Sequence, residues 1–286
     1  MMSAPRRAPR APLAIALAAL VVSTPAGAQQ RAVAALIAAA PATGRAHFSF
    51  PARDGVCGDG RGYVGVGRMT FGATSDVMLR DGRWARGAEP PCVPGPVRVV
   101  LSLRDRRVER LETYVGDTAA APRDEGATEL GAVDPVDASR WLLDLAARAD
   151  EGRVAERAIL PAVLAARAEP WPALLAIARD SATRRRATRT TAAFWLARFA
   201  AAARDGRRNS LVTAQDAEGD DAGERDVKGQ AVFALTQLPR HEGTPALLEV
   251  ARDNRDPVVR AKAMFWLGQS GDPRAYALFE EVLAGR

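Results

Sequence analysis

A pattern repeated at a fixed interval constrains the fold of this chain more than any other feature. The stretch from Asp226 to Arg286 contains the same series of residues twice, and the two copies are offset by 32 residues. The matching positions are Val227, Ala231, Phe233, Leu235 and Gln237 in the first copy and Val259, Ala263, Phe265, Leu267 and Gln269 in the second. A period of about 20 to 50 residues indicates supersecondary units that stack on one another.

Each copy of the repeat predicts two helices joined by a short turn. Apolar residues recur at steps of three and four, which is the period of an amphipathic helix. In the last copy Gly271 ends the first helix, and Asp272 with Pro273 begins the second. Because a single helix pair cannot bury its apolar face alone, neighbouring pairs must stack.

The repeat resembles the short bacterial HEAT repeats first described in phycobilisome lyases. The resemblance rests on Val259-Arg260, Ala263, Leu267-Gly268 and Gly271-Asp272-Pro273. It implies an α-α superhelix, that is, a HEAT-like solenoid, while the roles of such repeats vary widely. Residues 172–180 match 245–253, and residues 192–196 match 263–267. We therefore expect a mainly α protein in which the solenoid spans residues 136–286 and contains about four helix pairs.

One step of the repeat is irregular. Phe194 and Phe233 are 39 residues apart, whereas Phe233 and Phe265 are 32 apart, so an insert falls at about residues 205–226. This insert is polar and contains glycine, and we expect a solvated or partly disordered loop. A cation-binding loop is the alternative, because the insert carries Asp216, Glu218, Asp220, Asp221, Glu224 and Asp226.

The N-terminus has the features of a secretory signal peptide over residues 1–28. Arginines precede the apolar run Ala11 to Val22, and Ala26-Gly27-Ala28 offers the small residues that signal peptidase recognises. The apolar run is too short to cross the roughly 30 Å of hydrocarbon in a bilayer. We expect cleavage after Ala28, no membrane span, and a periplasmic or secreted protein. Removing three arginines lowers the formal net charge from +6 to +3.

A small β-rich unit is predicted before the helices. Val97, Val99, Leu101 and Leu103 recur at every second position, and Asp105-Arg106 is predicted to form a hairpin turn. Val108 and Leu111 are out of phase in the returning strand, which indicates a β-bulge. The expected order is a short N-terminal helix at 29–44, the β-rich unit at 45–117, a linker at 118–135 and the solenoid at 136–286.

Cys57 and Cys92 are the only cysteines. In an oxidising compartment such a pair predicts a disulfide, and two free buried thiols are the alternative. Without a nearby histidine or a second cysteine pair, a zinc site is not expected. The bridge would close a loop of about 35 residues, for which the chain-entropy model gives roughly 3 to 4 kcal/mol.

The sequence contains no clear catalytic, cofactor-binding or metal-binding motif. The glycine-rich segment Gly55 to Gly62 lacks the Gly-Lys-Ser/Thr ending of a phosphate-binding loop, and there is no Gly-x-Ser-x-Gly nucleophile motif. The two histidines, His47 and His241, are far apart in the chain. We therefore expect a protein that is not an enzyme, without cofactors.

Arginines cluster between residues 184 and 208, and Arg185 and Arg189 lie in this cluster. Binding to nucleic acid is not expected, because the mature net charge is small and export separates the protein from the genome. The cluster could instead attract an acidic protein or an anionic envelope polymer.

Two aromatic pairs recur in the repeats, and each contains a tryptophan. Packing in the core is the expected role, but an exposed tryptophan would be an anchor for a partner. The candidate partner-binding residues are Trp195, Trp266, Arg185 and Arg189. We expect an exported, non-enzymatic protein-binding or scaffold module with an unidentified protein partner. The alternative is an accessory enzyme or lyase-like factor that acts from the concave face of the solenoid.

Overall fold

A β-rich region followed by paired helices makes up the computed structural model of the chain. The structure describes residues 32–67, 69–72, 92–116, 126–149, 152–180, 185–217 and 223–285. The predicted signal peptide and the first half of the predicted linker lie outside these residues. The β-rich region and the helices belong to one structural unit, which spans residues 31–286.

The larger sheet has four strands in the order β6-β5-β1-β7. Its elements, with the short helix before them, are α1 (Val33–Ala39), β1 (Gly44–Phe50), β5 (Val97–Arg104), β6 (Arg107–Val115) and β7 (Thr128–Ala132). The predicted hairpin turn is present, and both of its residues, Asp105 and Arg106, have positive φ, as a two-residue type I′ turn requires. The predicted bulge is also confirmed by a register shift between Ser102 and Leu103.

Strand β7 corrects the interpretation of residues 118–135 as a linker. Residues 128–132 of that stretch pair in parallel with β1, with Ala46 opposite Thr128. The pairing shifts in register between His47 and Ser49, so this edge strand is irregular. A short edge strand with one large apolar residue, Leu130, lacks the alternation that identifies strands in a sequence.

A smaller antiparallel sheet contains β2 (Val56–Gly58), β3 (Tyr63–Val66) and β4 (Met69–Gly72), in that order. The predicted disulfide between Cys57 and Cys92 is present, and the two Cα atoms are 5.0 Å apart. Gly65 lies directly beneath the bridge, since a Cβ atom at this position would be 2.7 Å from the Cys92 sulfur. The glycine therefore leaves room for the two sulfur atoms.

Eight helices follow in the described residues, where the repeats predicted about four helix pairs. They are α2 (Pro135–Arg148), α3 (Gly152–Leu164), α4 (Trp171–Arg179), α5 (Arg186–Arg204), α6 (Gly223–Thr236), α7 (Thr244–Asp253), α8 (Pro257–Ser270) and α9 (Pro273–Ala284). Helix α2 packs with α3 and α4 packs with α5, whereas α7 packs more extensively with α8 than with α6. Three aspartates, at positions 134, 256 and 272, cap the starts of α2, α8 and α9 and each precedes a proline. Gly271 ends α8 in the left-handed conformation, as predicted.

The helix pairs do not stack in chain order, which differs from the simple solenoid expected from the sequence. In a sequential array α5 would pack against α6, but α8 packs between them. The Phe194 ring of α5 lies 6.0 Å from that of Phe265 in α8, and the Trp266 ring of α8 lies 5.0 Å from that of Phe233 in α6. Helices α8 and α9 therefore lie beside α4 and α5.

The described part of the insert, residues 205–217, is exposed at residues 206–208 and packed at residues 211–214. It includes a 3-10 helix at Ala214–Ala217 that packs against α8. Leu211 is fully buried, and Thr213 is 2% exposed. The expectation of a solvated loop is therefore wrong for residues 211–214, and the segment is also held by hydrogen bonds from Arg53 to Asn209 and from Arg198 to Asp216. Residues 218–222 lie outside the described part of the chain.

Arg53 connects the β-rich region to the helices and to the insert. It follows β1 and is 7% exposed. Its guanidinium donates hydrogen bonds to the carbonyls of Val163 and Ala168, at 3.0 and 2.7 Å, and to the Asn209 carbonyl and side-chain oxygens. It also lies over the Phe199 ring, 5.2 Å from the centroid. Burial lowers the pKa of Arg53 to about 10, while nearby Asp54 opposes that shift.

Candidate functional site

A cleft of about 440 Å³ lies where the ends of α4, α5, α8 and α9 meet. We call it the cationic cleft, and its polar lining consists of Arg179, Arg186, Arg189, Thr190, Gln269, Ser270 and Tyr276. The cleft exists because α8 and α9 pack beside α4 and α5, which chain order alone does not predict.

Helix ends supply the three arginines of the cleft. Arg179 is the last residue of α4 and Arg186 is the first of α5. Arg189 and Thr190 follow Arg186 at three and four residues, a spacing that puts the three side chains on one face of the helix. Arg186 is exposed and makes no side-chain hydrogen bond or ion pair with the described residues. Its five N–H donors are therefore available to a ligand.

The other two arginines are partly engaged. Arg179 forms an ion pair with Glu280 of α9, with 2.8 Å between Nη2 and Oε2. Arg189 donates to the Asp180 carbonyl through Nη1 at the longer distance of 3.4 Å. The hydrogen-bonding side chains of the cleft are mainly donors, so the cleft suits a ligand that presents several acceptor oxygens.

Tyr276 is the most buried polar residue of the lining, since it is only 8% exposed. Burial raises the pKa of its phenol, and the charge of Arg189 acts in the opposite direction. The phenol therefore stays protonated at neutral pH and can donate a hydrogen bond.

The floor of the cleft depends on close contact between α5 and α8. A Cβ atom at Gly268 would lie 2.7 Å from the Ala197 Cβ and 3.0 Å from the Ala193 carbonyl oxygen. Beyond Gly271 the chain turns into α9, where Asp272 caps the helix by accepting from the Arg274 backbone N–H at 2.9 Å. The small residues Gly268, Ala193 and Ala197 therefore set how closely α5 and α8 approach each other, and with it the positions of the two sides of the cleft.

A second surface, the aromatic edge, consists of Phe233 and Trp266. Phe233 is 45% exposed, and Trp266 is half-buried and contacts the rings of Phe233 and Phe265. Solvent-exposed aromatic groups of this kind are typical of protein-binding surfaces. Helix α8 contributes to both surfaces, since Trp266 of the aromatic edge lies three residues before Gln269 of the cationic cleft.

The structure separates the four residues that the sequence indicated as partner-binding candidates. Trp195 is 2% exposed and packs against Phe71, with ring centroids 5.2 Å apart, so it is part of the core and not an anchor. Arg185 donates to backbone carbonyls at the end of α2, including that of Ala147 at 3.1 Å, and thereby closes that helix. Only Arg189 and Trp266 lie at the two candidate surfaces.

Sequence reasoning missed Arg179 and Tyr276. Arg179 aligns with Arg252 in the repeated segment, which indicates a shared structural position, but no local signal links it to Arg186. Tyr276 lies in the first turn of α9, which begins with Asp-Pro like α2 and α8, so the local sequence does not distinguish it. It lines the cleft only because of how α9 packs against the other helices. A pattern along one helix cannot reveal that packing.

Metal-ligand clusters and membrane-spanning helices are both absent from the described residues. Within them, no three or more His, Cys, Asp or Glu side chains come together as a metal site would require. None of the helices described combines the length and the apolar character of a membrane-spanning helix.

Similarity to known proteins covers only part of the chain. No curated protein and no solved structure matches it. A family model described as HEAT repeats matches residues 220–285, which include α6 to α9. The helical region of this chain therefore contains HEAT-like repeats.

Proposed function

We propose that the chain is an exported, non-enzymatic module that binds a protein partner through its HEAT-like repeats. The observation that carries this proposal is the aromatic edge, where Phe233 is 45% exposed on α6 and its ring contacts that of Trp266 with 5.0 Å between the centroids. Rigid aromatic groups on packed helices provide large contact area with little loss of side-chain freedom, which favours protein binding.

The chemistry of the cationic cleft supports a binding role. Its titratable lining consists of arginines, which stay charged, and of Tyr276, whose pKa is raised away from neutral pH by burial. A general acid or base works best when its pKa lies near the working pH. These groups are therefore better suited to holding an anion than to transferring protons.

A variant that lacks all of the paired helices would not test partner binding reliably, because the helices share their core with the β-rich region. One cluster of buried apolar side chains extends from Phe48 in the β-rich region to Phe279 in α9. Removing residues 136–286 would expose that core and cause non-specific binding. A test must therefore leave the full chain intact.

Site-specific cross-linking meets this requirement. A photoreactive phenylalanine analogue replaces Phe233 in one variant and Val93, which is 43% exposed in the β-rich region, in the control. We expect one discrete cross-linked protein from position 233 in cells, and its loss when Trp266→Ala is added. Cross-linking of the same protein with equal yield at position 93, or of nothing at position 233, would refute the proposal.

Export requires a separate test. N-terminal sequencing of the protein from the periplasm or medium should find Gln29 as the first residue, because the small residues Ala26 to Ala28 fit signal peptidase. Recovery from the cytoplasm with Met1 or Met2 intact would contradict this part of the proposal.

A further inference from the structure

We propose that the cationic cleft binds a carboxylate-rich segment of a protein, which is the acidic part of the partner that also contacts the aromatic edge. This inference rests on the proposed function in one respect, namely that the partner is a protein. The ligand chemistry comes from the cleft residues, and the variant that tests it changes only Arg186 and Arg189.

The free donors of the cleft determine the class of ligand. Arg186 has no partner among the described residues, and the only hydrogen bond of the Arg189 side chain there is the 3.4 Å contact with the Asp180 carbonyl. Gln269 and Tyr276 add further donors to the same lining, whereas the Thr190 hydroxyl already donates to the Arg186 carbonyl at 3.0 Å. Guanidinium groups bind planar carboxylates with two parallel hydrogen bonds. A ligand with several carboxylates therefore satisfies this site.

The protein itself pairs one arginine of the cleft with a carboxylate. Glu280 contacts Arg179 at 2.8 Å, so carboxylate recognition by one of the three arginines is already part of the fold. An acidic segment would extend that pattern to Arg186 and Arg189. Two added ion pairs on neighbouring arginines would act together, which favours a segment with several carboxylates over a single one.

A nucleic acid or another anionic polymer fits the lining less well. Single-stranded nucleic acids are held by aromatic side chains on which bases stack. The aromatic residue of this lining, Tyr276, is 8% exposed, so its ring is not presented for stacking. The volume of about 440 Å³ is that of a drug-sized ligand and accommodates more than one carboxylate group.

The location of the cleft on α8, next to the aromatic edge, also favours a protein as its ligand. Gln269 of the cleft and Trp266 of the aromatic edge are three residues apart on α8, which makes them neighbours on the helix surface. A partner segment with an apolar residue followed by acidic residues would contact both surfaces. Its acidic part gives orientation, while the apolar part supplies buried area.

Fluorescence anisotropy with a labelled peptide tests the inference on the mature full-length protein. The probe is an extended peptide of glutamate residues with one leucine at its end, and the competitors are unlabelled peptide, polyphosphate and single-stranded DNA. The variant is Arg186→Gln with Arg189→Gln. The matched control is Arg107→Gln with Arg110→Gln, which removes the same charge from an exposed face of β6.

We expect saturable peptide binding that weakens at least about tenfold in the cleft variant and less than about twofold in the control. Thermal melts should stay close to wild type, since Arg186 is exposed and the Arg189 side chain makes only the 3.4 Å hydrogen bond to the Asp180 carbonyl. The inference is overturned if the peptide does not bind, if its binding falls equally in both variants, or if polyphosphate or DNA displaces it better than unlabelled peptide does.

Cross-linking at Phe233 separates the two proposals: if it persists while the peptide fails to bind, the cleft inference alone fails. Peptide binding without that cross-link removes the proposed function instead.

Discussion

Glu280 of α9 forms an ion pair with Arg179 of α4, with 2.8 Å between the two charged atoms. The next residue, Glu281, pairs with Arg252 of α7 at 3.3 Å. Arg179 and Arg252 hold the same position in two copies of the repeat. The last helix thus reaches two equivalent helices that are far apart in sequence, which is a consequence of stacking out of chain order.

The contact between α5 and α8 should be sensitive to one methyl group. A Gly268→Ala substitution places a Cβ atom 2.7 Å from the Ala197 Cβ, so the helices must move apart. We expect a loss of about 1–3 kcal/mol of unfolding free energy in urea denaturation. Gly152→Ala at the start of α3 is the control, because no atom lies within 4 Å of the added carbon. Equal stability of the two variants would show that α5 and α8 are not this close.

The buried ion pair between Arg198 and Asp216 should hold the insert against α5. Arg198 Nη2 and Asp216 Oδ2 are 2.6 Å apart, and both side chains are less than 10% exposed. Burial lowers the pKa of Arg198, and the charge of Asp216 opposes this. Asp216→Asn removes the opposing charge, and we expect a loss of about 3–5 kcal/mol. Thermal or urea unfolding measures the change.

A matched control for this pair is the exposed ion pair between Asp144 and Arg148, at 3.2 Å on α2. Asp144→Asn should change the unfolding free energy by less than about 0.5 kcal/mol, because water already screens this pair. A similar small effect of Asp216→Asn would mean that the insert is solvated, as its polar sequence had indicated.

The two tryptophans show what local sequence could and could not predict. Trp195 and Trp266 occur in the same Phe-Trp-Leu context and in equivalent helices, so the sequence predicts the same environment for both. In the structure Phe71 of β4 covers Trp195, whereas Trp266 meets only half-buried or exposed rings. The difference comes from a strand that is more than 100 residues away in the chain.

Local chemistry was nevertheless enough to predict many element boundaries. Asp272-Pro273 begins α9 and Gly271 ends α8 because capping and backbone conformation are set by adjacent residues. The cationic cleft could not be predicted in the same way. Arg186 and Arg189 share a helix face by their spacing, but Tyr276 joins them only through the position of α9.

Asp272 should make stability depend on acid pH. The hydrogen bond from the Arg274 side chain, opposed by burial and helped by the Arg274 backbone N–H, lowers the Asp272 pKa to about 2. An unfolded aspartate has a pKa near about 3.9. The folded protein therefore holds the ionised form more strongly, so this stabilisation is present above about pH 4 and is lost as pH falls toward 2.

The matching variant is Asp272→Asn, which keeps an N-cap acceptor but removes the charge. We expect it to lower the unfolding free energy by about 1 kcal/mol at pH 7 and to have little effect near pH 2. Urea denaturation at both pH values gives the comparison. A loss of the same size at both values would assign the effect to the cap geometry and not to the charge.

The disulfide should contribute stability to the small β-sheet. Cys57 and Cys92 are separated by 35 residues, and closing a loop of this size stabilises by roughly 3–4 kcal/mol in the chain-entropy model. A double Cys57→Ser, Cys92→Ser variant should lose about that amount, and a reductant should destabilise wild type but not the variant. Peptide mapping without reduction should recover the linked pair, whereas labelling of both free thiols in the folded protein would contradict it.

Packing of the insert should protect it from proteases until its attachment to the β-rich region is removed. Arg207 and Arg208 are exposed trypsin sites, but Asn209 beside them is bound by the Arg53 guanidinium. Arg53→Ala removes these bonds and leaves carbonyls unsatisfied, so local opening should become more frequent. We expect cleavage at these sites to accelerate at least about tenfold below the melting temperature, as mass spectrometry of early fragments would show. Arg107→Ala, on the exposed hairpin, should leave the rate unchanged. Rapid cleavage there in wild type would mean that the insert is open without any substitution.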